Sequence, residues 1–488
     1  MANRRAFKVD ESFLEKISIG AVATKKVFEH LMKTGHRPIE LERGSMSFKI
    51  WKEIKIKRVR VPDILCVDCG KRIESRGKTK LEITMSHSFS SPERGWDFGL
   101  DPDDYVALVK CSRSGDRPID WKAEGPAQYI PVSSMKTAFN SGHAVSEKPK
   151  GATEGFEARV TWPCSIASSS GKISHIDKNR LQYKRTSDDR TVTLRLEKKN
   201  IMLRPLVEVK EEILQNQIIA SVVPVSMSFK CEKKAGEQYY KTSLESASLS
   251  DRYAAAKVLH LFPSGTSVDI LLDRMNDTKE HIYIRLEAAS SLLKMENKEA
   301  VSFFQDVLHD QYLENRLEAV IILGEIKNDI ACDLLIRTLL DNEQHPEIRA
   351  GAAWSLGELK NRKALDALVN VFNEVEGNIR IEAARAVAKF GEKSSSEIIK
   401  FIPDGNEEER AGLAWALSKS GKFKIKDLIT AMTDNEARKW IAWIIGTQNE
   451  IACIDQIEDM KNKDKEVYFA VTVLWKILSS WIDKLDIY

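Results

Sequence analysis

Two acidic residues eleven positions apart have the types and spacing that most suggest catalysis in this sequence. Asp63 and Glu74 lie in "VPDILCVDCGKRIESRGKTK", residues 61–80. The apolar patterns on either side predict two adjacent antiparallel strands joined by the "VDCG" turn. Paired carboxylates suit Mg²⁺ (or Mn²⁺), because hard cations prefer oxygen ligands. A metal ion held there can promote phosphodiester hydrolysis by neutralising the phosphate and lowering the pKa of a water.

Two cations follow Glu74 at alternate positions. Side chains of a regular strand alternate between its faces, so Glu74, Arg76 and Lys78 are predicted to share one face. Arg76 can stabilise a phosphate, but its pKa is too high for it to deprotonate a water. Lys78 is therefore the candidate for that role. Glu40 and Glu42 on the preceding predicted strand are further candidate metal ligands, and we prefer them to Glu29 on the first helix.

The same stretch contains two other motif fragments. Gly70 and Gly77 are separated by six residues where a phosphate loop needs four, and no helix is predicted after them, which argues against an NTPase. Cys66 and Cys69 have zinc-ligand spacing, but a structural zinc site needs four ligands. Cys111 and His87 are the plausible companions, at irregular spacing. We therefore expect two small buried cysteines rather than a zinc site.

The flanking segment is basic. Residues 43–80 contain twelve Lys and Arg against four Asp and Glu. Lysines on a strand with an aromatic neighbour can follow a phosphate backbone, although edge strands also use lysine to prevent aggregation. Because a candidate metal site adjoins the segment, we favour DNA contact. The predicted nucleic-acid-binding residues are Lys49, Trp51, Lys52, Lys55, Lys57, Arg58 and Arg60.

The order of these elements resembles a known family. A long amphipathic helix over residues 11–34 is followed by "PIELERG", "PDILCV" and "KRIESRGK". This order and the positions of Asp63 and Glu74 resemble the PD-(D/E)XK nuclease core of restriction endonucleases and Holliday resolvases. The resemblance implies a Mg²⁺-dependent DNA endonuclease, with a role in bacterial restriction or antiviral defence at the level of fold analogy. It departs from the family at Arg76, where the family has lysine. A non-catalytic nucleic-acid- or protein-binding adaptor with a degenerate nuclease fold is the alternative.

A repeated phrase marks the second half of the chain. It begins at Arg252, Arg285, Arg316, Arg349, Arg380 and Arg410, with steps of 33, 31, 33, 31 and 30 residues. Such a period predicts paired helices stacked into a solenoid. The phrases resemble HEAT repeats of the phycobilisome-lyase-like type, which implies a protein-binding scaffold. We expect the repeated arginines to bond to a neighbouring repeat and not to a ligand.

Three regions of different fold class follow from these patterns. They are a PD-(D/E)XK-like α/β domain over 1–140, a small β barrel or sandwich over 155–231, and an all-α HEAT solenoid over 247–488, with linkers between them. Residues 1–250 have a charge balance of +12 and residues 251–488 one of −9, which points to a polyanion as partner of the first half. The apolar runs are too short to span a membrane, and seven scattered cysteines fit reduced thiols. We therefore expect a cytoplasmic protein.

Overall fold

The structure is a computed structural model that describes residues 11–41, 54, 59–148, 157–391, 394–432, 434–448 and 450–485. Its contacts divide the chain into two compact units. The first comprises Met1–Ile50 and Lys57–Ser267, and the second comprises Trp51–Ile56 and Val268–Tyr488.

The first unit contains most of the strands. Its helices are α1 (Glu11–Lys33), α2 (Val132–Asn140), α3 (Glu237–Leu244) and α4 (Leu249–Val258). Its first eight strands are β1 (Pro38–Glu40), β2 (Ile64–Cys66), β3 (Arg72–Lys78), β4 (Ile83–Ser88), β5 (Tyr105–Arg113), β6 (Trp121–Pro131), β7 (Val145–Glu147) and β8 (Glu157–Trp162). The later strands are β9 (Cys164–Ile166), β10 (Gly171–Ile176), β11 (Arg180–Arg185), β12 (Thr191–Arg195), β13 (Glu197–Lys198), β14 (Ile201–Met202), β15 (Arg204–Pro205), β16 (Glu212–Ile213) and β17 (Ile218–Ser221).

A five-stranded mixed sheet carries the candidate catalytic residues. Its order is β1-β2-β3-β5-β6, and β3 pairs with β2 in antiparallel and with β5 in parallel orientation. Helix α1 covers one face, because Ala23, Val27 and Leu31 recur at helical spacing and are buried against the sheet. Glu74, Arg76 and Lys78 therefore belong to the opposite face, since the intervening Ser75 bonds to Thr24 of α1.

The opposite face of this sheet shares its core with the β-rich segment that follows. Strand β4 pairs with β8 along its whole length, from Ile83 opposite Trp162 to Ser88 opposite Glu157. Trp96 and Trp162 meet edge to face in this core, with 5.0 Å between ring centroids. Val106 and Leu108 of β5 belong to the same cluster. The sheet face that carries Glu74 is thus covered by strands that precede residue 140 and by strands that follow it.

The β-rich segment does not close into a barrel. In the described chain, β12-β11-β10-β16 form one sheet and β15-β17-β9 form another. Ile173 of the first sheet and Ile219 of the second are buried in one hydrophobic cluster. Of the predicted barrel or sandwich, the barrel is therefore wrong, because the described strands form two separate sheets that share one hydrophobic cluster.

The expected linker after this segment is partly helical. Helix α3 buries Tyr240, whose hydroxyl donates to the carbonyl of Val67 at 2.8 Å. The N–H of Ala235 donates to the carbonyl of Asp68 at 3.0 Å. These bonds attach the end of the β-rich segment to the turn between β2 and β3.

A buried arginine ties the start of β3 to two other elements. The side chain of Arg72 is 4% exposed, and its guanidinium makes two 2.9 Å bonds to Asp104, which precedes β5. It also bonds to Ser250 and Asp251 of α4, both at 2.8 Å, and to Asp101. A buried cation is stable only when its donors are satisfied in this way.

The second unit is helical. The boundary between the units falls within α5 (Gly265–Asn276). The helices that follow are α6 (Ile282–Lys294), α7 (Glu299–Leu308), α8 (Leu313–Leu323), α9 (Asp329–Leu340), α10 (Pro346–Leu359), α11 (Leu365–Asn370), α12 (Gly377–Lys389), α13 (Ser395–Ile399), α14 (Phe401–Asp404), α15 (Glu407–Ser420), α16 (Ile425–Thr430), α17 (Asn435–Gly446), α18 (Glu450–Glu458) and α19 (Lys465–Leu485). The phrase arginines from Arg285 to Arg380 lie on alternate helices, α6, α8, α10 and α12, and Arg410 lies on α15 after the two short helices α13 and α14. None of the helices in the described part of the chain is long and apolar enough to cross a membrane.

Several repeat arginines join successive repeats. Arg349 and Arg410 each donate from Nε to a carbonyl of the preceding helix, at Leu339 and Ile402, both at 2.8 Å. Arg349 also pairs with Glu374 at 2.5 Å, and Arg410 pairs with Asp434 at 3.0 Å. The predicted structural role is confirmed for these arginines, because each carboxylate lies just before the first helix of the next repeat.

Replacing Arg72 should destabilise the first unit far more than replacing an exposed arginine. We expect Arg72→Met to lower the free energy of unfolding by about 3–5 kcal/mol, since it leaves buried carboxylates without their cation. The control is Arg117→Met. The Arg117 side chain is 74% exposed and pairs with Asp120, so its loss should change the free energy of unfolding little. Calorimetric unfolding of the full chain measures both, and equal effects would contradict this account of Arg72.

Candidate functional site

The carboxylate of Asp63 is fixed against the middle of β3. Asp63 immediately precedes β2, and its Oδ2 accepts a hydrogen bond from the backbone N–H of Ser75 at 2.7 Å. This bond places the carboxylate next to Glu74 on the neighbouring strand. The two residues predicted to form the catalytic pair are thus brought together by the β2–β3 hairpin.

Glu74 is a mostly buried carboxyl with a strongly perturbed pKa. Its side chain is 13% exposed and pairs with Arg76 at 2.5 Å. Burial raises the pKa of Glu74 to about 7, the charge of Asp63 raises it further, and Arg76 opposes the shift. An ionised carboxylate at this position is costly unless another cation approaches it.

Lys78 lies on the same face of β3, two residues beyond Arg76. Its Nζ donates to the carbonyl of Thr84 at 2.7 Å and to the Thr84 hydroxyl at 2.9 Å. Burial lowers the pKa of Lys78 to about 8, and the nearby charges of Arg76 and Arg159 add to this effect. A lysine with a lowered pKa can exchange a proton near neutral pH, which Arg76 cannot do.

The exposed end of this face lines a basic cleft of about 900 Å³. Its cationic lining residues are Lys16, Arg60, Arg76, Lys78, Lys80 and Arg159. Glu82 is the acidic residue of the lining and pairs with Lys80 and Arg159. The cleft is therefore suited to an anionic ligand. Lys16 and Arg159 were not predicted, because α1 and β8 are distant from the motif along the chain.

The remaining predicted site residues lie elsewhere or outside the described structure. Glu40 is exposed at the end of β1, and Glu29 is exposed on α1, where it pairs with Lys25 at 4.0 Å. Within the described residues, neither forms a carboxylate cluster with Asp63 and Glu74. Of the predicted nucleic-acid-binding residues, Arg60 lines the cleft. Outside the described residues lie Glu42, Lys49, Trp51, Lys52, Lys55, Lys57 and Arg58.

The expectation that Cys111 and His87 are the plausible companions of Cys66 and Cys69 is wrong. His36 and Cys231 join them, and the four ligand atoms all lie within 4.8 Å of one another. The companions expected from sequence are engaged elsewhere, since the His87 ring accepts from the N–H of Trp96 and the Cys111 thiol contacts the carbonyl of Ile19. His36 lies 30 residues before Cys66 and Cys231 lies 162 residues after Cys69, so the local spacing could not identify them.

Comparisons with known proteins identify the repeats. The family model for HEAT repeats matches residues 306–388, which confirms the prediction for the helical region. No curated protein matches the chain. The proposed nuclease core therefore stays a prediction.

Similar solved structures include three proteins. The complex of CpcE and CpcF of phycocyanin lyase from Nostoc sp. PCC7120 is 18% identical over 52% of this chain and 99% of that chain, with a TM-score of 0.26. Human deoxyhypusine hydroxylase is 15% identical over 44% and 96%, with a TM-score of 0.21. The Escherichia coli protein YibA is 18% identical over 50% and 93%, with a TM-score of 0.27. Likenesses of this degree indicate nothing about activity.

Because the pKa of Glu74 is raised, replacing this residue with a neutral one should stabilise the folded protein, by an amount that depends on pH. The carboxyl is neutral in both folded and unfolded states below about pH 4.5, so its stabilising contribution is complete there. That contribution is lost as the pH rises through about 7, the folded value. Glu74→Gln should therefore gain stability relative to wild type between pH 5 and pH 8, by up to roughly 3 kcal/mol at 1.4 kcal/mol per pK unit.

Thermal unfolding without added divalent cation, at both pH values, measures this gain. Glu29→Gln is the matched control, because its carboxylate is 51% exposed. A Glu74→Gln effect that is the same at pH 5 and pH 8 would show that burial does not perturb this carboxyl.

Proposed function

We propose that the protein is a Mg²⁺-dependent DNA endonuclease that hydrolyses phosphodiester bonds. The observation that carries this proposal is the bond from Ser75 N–H to Asp63, which holds one carboxylate beside buried Glu74 on the adjacent strand. The basic cleft next to the pair supplies a place for a phosphate backbone.

The donor set fits a hard divalent cation. Asp63 and Glu74 offer carboxylate oxygens, and Mg²⁺ is commonly bound by one or two carboxylates together with waters. The raised pKa of Glu74 supports the same assignment, because a cation would stabilise the ionised form that burial disfavours. When bound, Mg²⁺ or Mn²⁺ would neutralise phosphate charge and lower the pKa of a water.

Two further residues of β3 have separate roles in the proposed reaction. Arg76 lines the cleft and bears a fixed positive charge, so it binds and orients a phosphate. Lys78, whose pKa is lowered to about 8, is partly neutral near neutral pH and can hold or accept a proton from a water. Thr84 positions the Lys78 amine through two hydrogen bonds.

A binding module without catalysis is the second candidate. The observation that favours it is the 2.5 Å ion pair between Arg76 and Glu74, which engages a carboxylate that the metal site needs. In this case the basic cleft would hold nucleic acid and the hydrolytic step would be absent.

We further propose that the HEAT repeats bind a protein partner, in a bacterial restriction or defence setting. Stacked helical repeats present extended surfaces to other macromolecules. Ile381 on α12 and Trp415 on α15 are 50% and 40% exposed and line a groove of about 530 Å³. Exposed apolar side chains next to Arg380 and Arg385 provide such a surface.

Cleavage of a supercoiled plasmid in Mg²⁺ or Mn²⁺ tests catalysis. We expect Asp63→Asn and Glu74→Gln to lose more than about 100-fold in rate, and Lys78→Ala to lose about 100-fold, the size of a general acid–base contribution. These substitutions keep side-chain volume at the two carboxylates, and Glu29→Gln is the control that should retain activity. If wild type fails to cleave with either metal, or if cleavage survives both carboxylate substitutions, the enzyme proposal is wrong.

Binding of a fluorescent DNA duplex without divalent cation tests the cleft. Lys80→Ala and Arg159→Ala should each weaken binding severalfold and reduce the slope of log K against log salt by about one. Lys172→Ala, an exposed lysine on β10, is the matched control. Binding that depends on these residues, in a protein that does not cleave, supports the second candidate. Binding that is insensitive to both substitutions contradicts the proposed nucleic-acid site.

A further inference from the structure

Four ligand atoms from three separate chain segments converge in the first unit. His36 follows α1, Cys66 ends β2, Cys69 lies in the β2–β3 turn, and Cys231 lies between β17 and α3. His36 and Cys66 are buried, and the other two cysteines are partly buried. These residues are far apart in the sequence, so they come together only when the chain is folded.

The spacing of these atoms fits a tetrahedral metal site. The Sγ atoms of Cys66 and Cys231 are 3.8 Å apart, and Sγ of Cys69 is 3.8 Å from Nδ1 of His36. A tetrahedron with zinc–sulfur bonds of about 2.3 Å has edges of about 3.8 Å. A disulfide would require sulfur atoms about 2.0 Å apart, and the cysteines are free.

The histidine is oriented as a metal ligand is. Its Nε2 lies 3.0 Å from the carbonyl of Phe229 and donates its hydrogen there, which leaves the Nδ1 lone pair directed at the thiols. Such a bond from the second ring nitrogen to a carbonyl fixes the tautomer of metal-bound histidines. The Phe229 ring lies 4.5 Å from the imidazole and limits its rotation.

A tight backbone turn holds Cys66 and Cys69 close together. The N–H of Gly70 donates to the carbonyl of Cys66 at 2.8 Å, which closes a tight turn that Gly70 permits with φ of +73°. The two cysteines are separated by two residues, which is the spacing of zinc-binding cysteine pairs.

We propose that His36, Cys66, Cys69 and Cys231 bind one structural Zn²⁺. Three thiolates and an imidazole select zinc over Mg²⁺, because soft sulfur ligands disfavour hard cations. Four protein ligands complete the tetrahedron and leave no position for a substrate, which distinguishes structural zinc sites from catalytic ones.

The metal would attach the segment before α3 to the β2–β3 turn. That attachment already uses the bonds from Ala235 to Asp68 and from Tyr240 to Val67. Because binding requires the folded arrangement, its free energy adds to the stability of the fold. Asp63 and Glu74 flank the same hairpin, so the ion would also hold the two carboxylates in register, although the zinc site does not depend on their function.

Metal analysis of the purified full-length protein tests the site. We expect one zinc per chain in wild type, with loss of that zinc in Cys69→Ser and Cys231→Ser. The controls Cys111→Ala and Cys332→Ala replace buried cysteines outside the cluster and should retain it. Zinc that is absent from wild type, or retained in both serine variants, would overturn the proposal.

A second measurement on wild type covers the case in which the serine variants fail to fold. After removal of zinc, Co²⁺ should restore the fold and give visible d–d bands with a near-ultraviolet thiolate-to-cobalt band, as tetrahedral sulfur-rich sites do. Release of zinc by a thiol-specific reagent should parallel the modification of three cysteines. A cobalt spectrum without thiolate bands would show that the cysteines are not ligands. Plasmid cleavage is not a readout here, so failure of the nuclease proposal leaves this test intact.

Discussion

The buried guanidinium of Arg72 is the interaction on which the arrangement of the first unit depends. Its desolvation is unfavourable unless each donor finds an acceptor, and Asp104, Ser250 and Asp251 supply them from two other elements. Burial in turn raises the pKa of Asp251 to about 6 and that of Asp104. The buried cation and the carboxylates therefore stabilise one another, and their bonds fix the position of the start of β3. Glu74 lies two residues further along the same face, so its position is fixed as well.

Ionisable side chains whose burial is unfavourable lie close together in a small part of the sheet. Glu74 and Lys78 have pKa values shifted in opposite directions by the same cause, burial between β3 and the strands that roof it. A core chosen for stability alone would place apolar side chains there, as it does at Val106 and Leu108 on the neighbouring strand. Perturbed groups of this kind are typical of functional sites.

Local pattern predicted the parts of the structure that local chemistry determines. The repeat period located the paired helices, the alternation along β3 placed Glu74, Arg76 and Lys78 on one face, and the "VDCG" turn located the hairpin. Relations between distant segments were not predictable in this way. Arg72 has partners 32 and 178 residues away, and Cys231 reaches the "CVDC" turn only after the β-rich segment has folded. The sequence could not distinguish a barrel from a sandwich, because strand content does not determine how sheets close.

The pairing of β4 with β8 also limits which parts of the chain can be exchanged independently. A recombination event at residue 140 would separate the two tryptophans of one core and leave β4 as an unpaired edge. Neither the carboxylate-bearing sheet nor the β-rich segment could therefore be exchanged without disrupting the core that they share. The helical repeats are different, because an array of similar units can lengthen or shorten by whole repeats without disturbing a shared core. Natural variation is thus expected in the number of repeats and not at the junction of the two β regions.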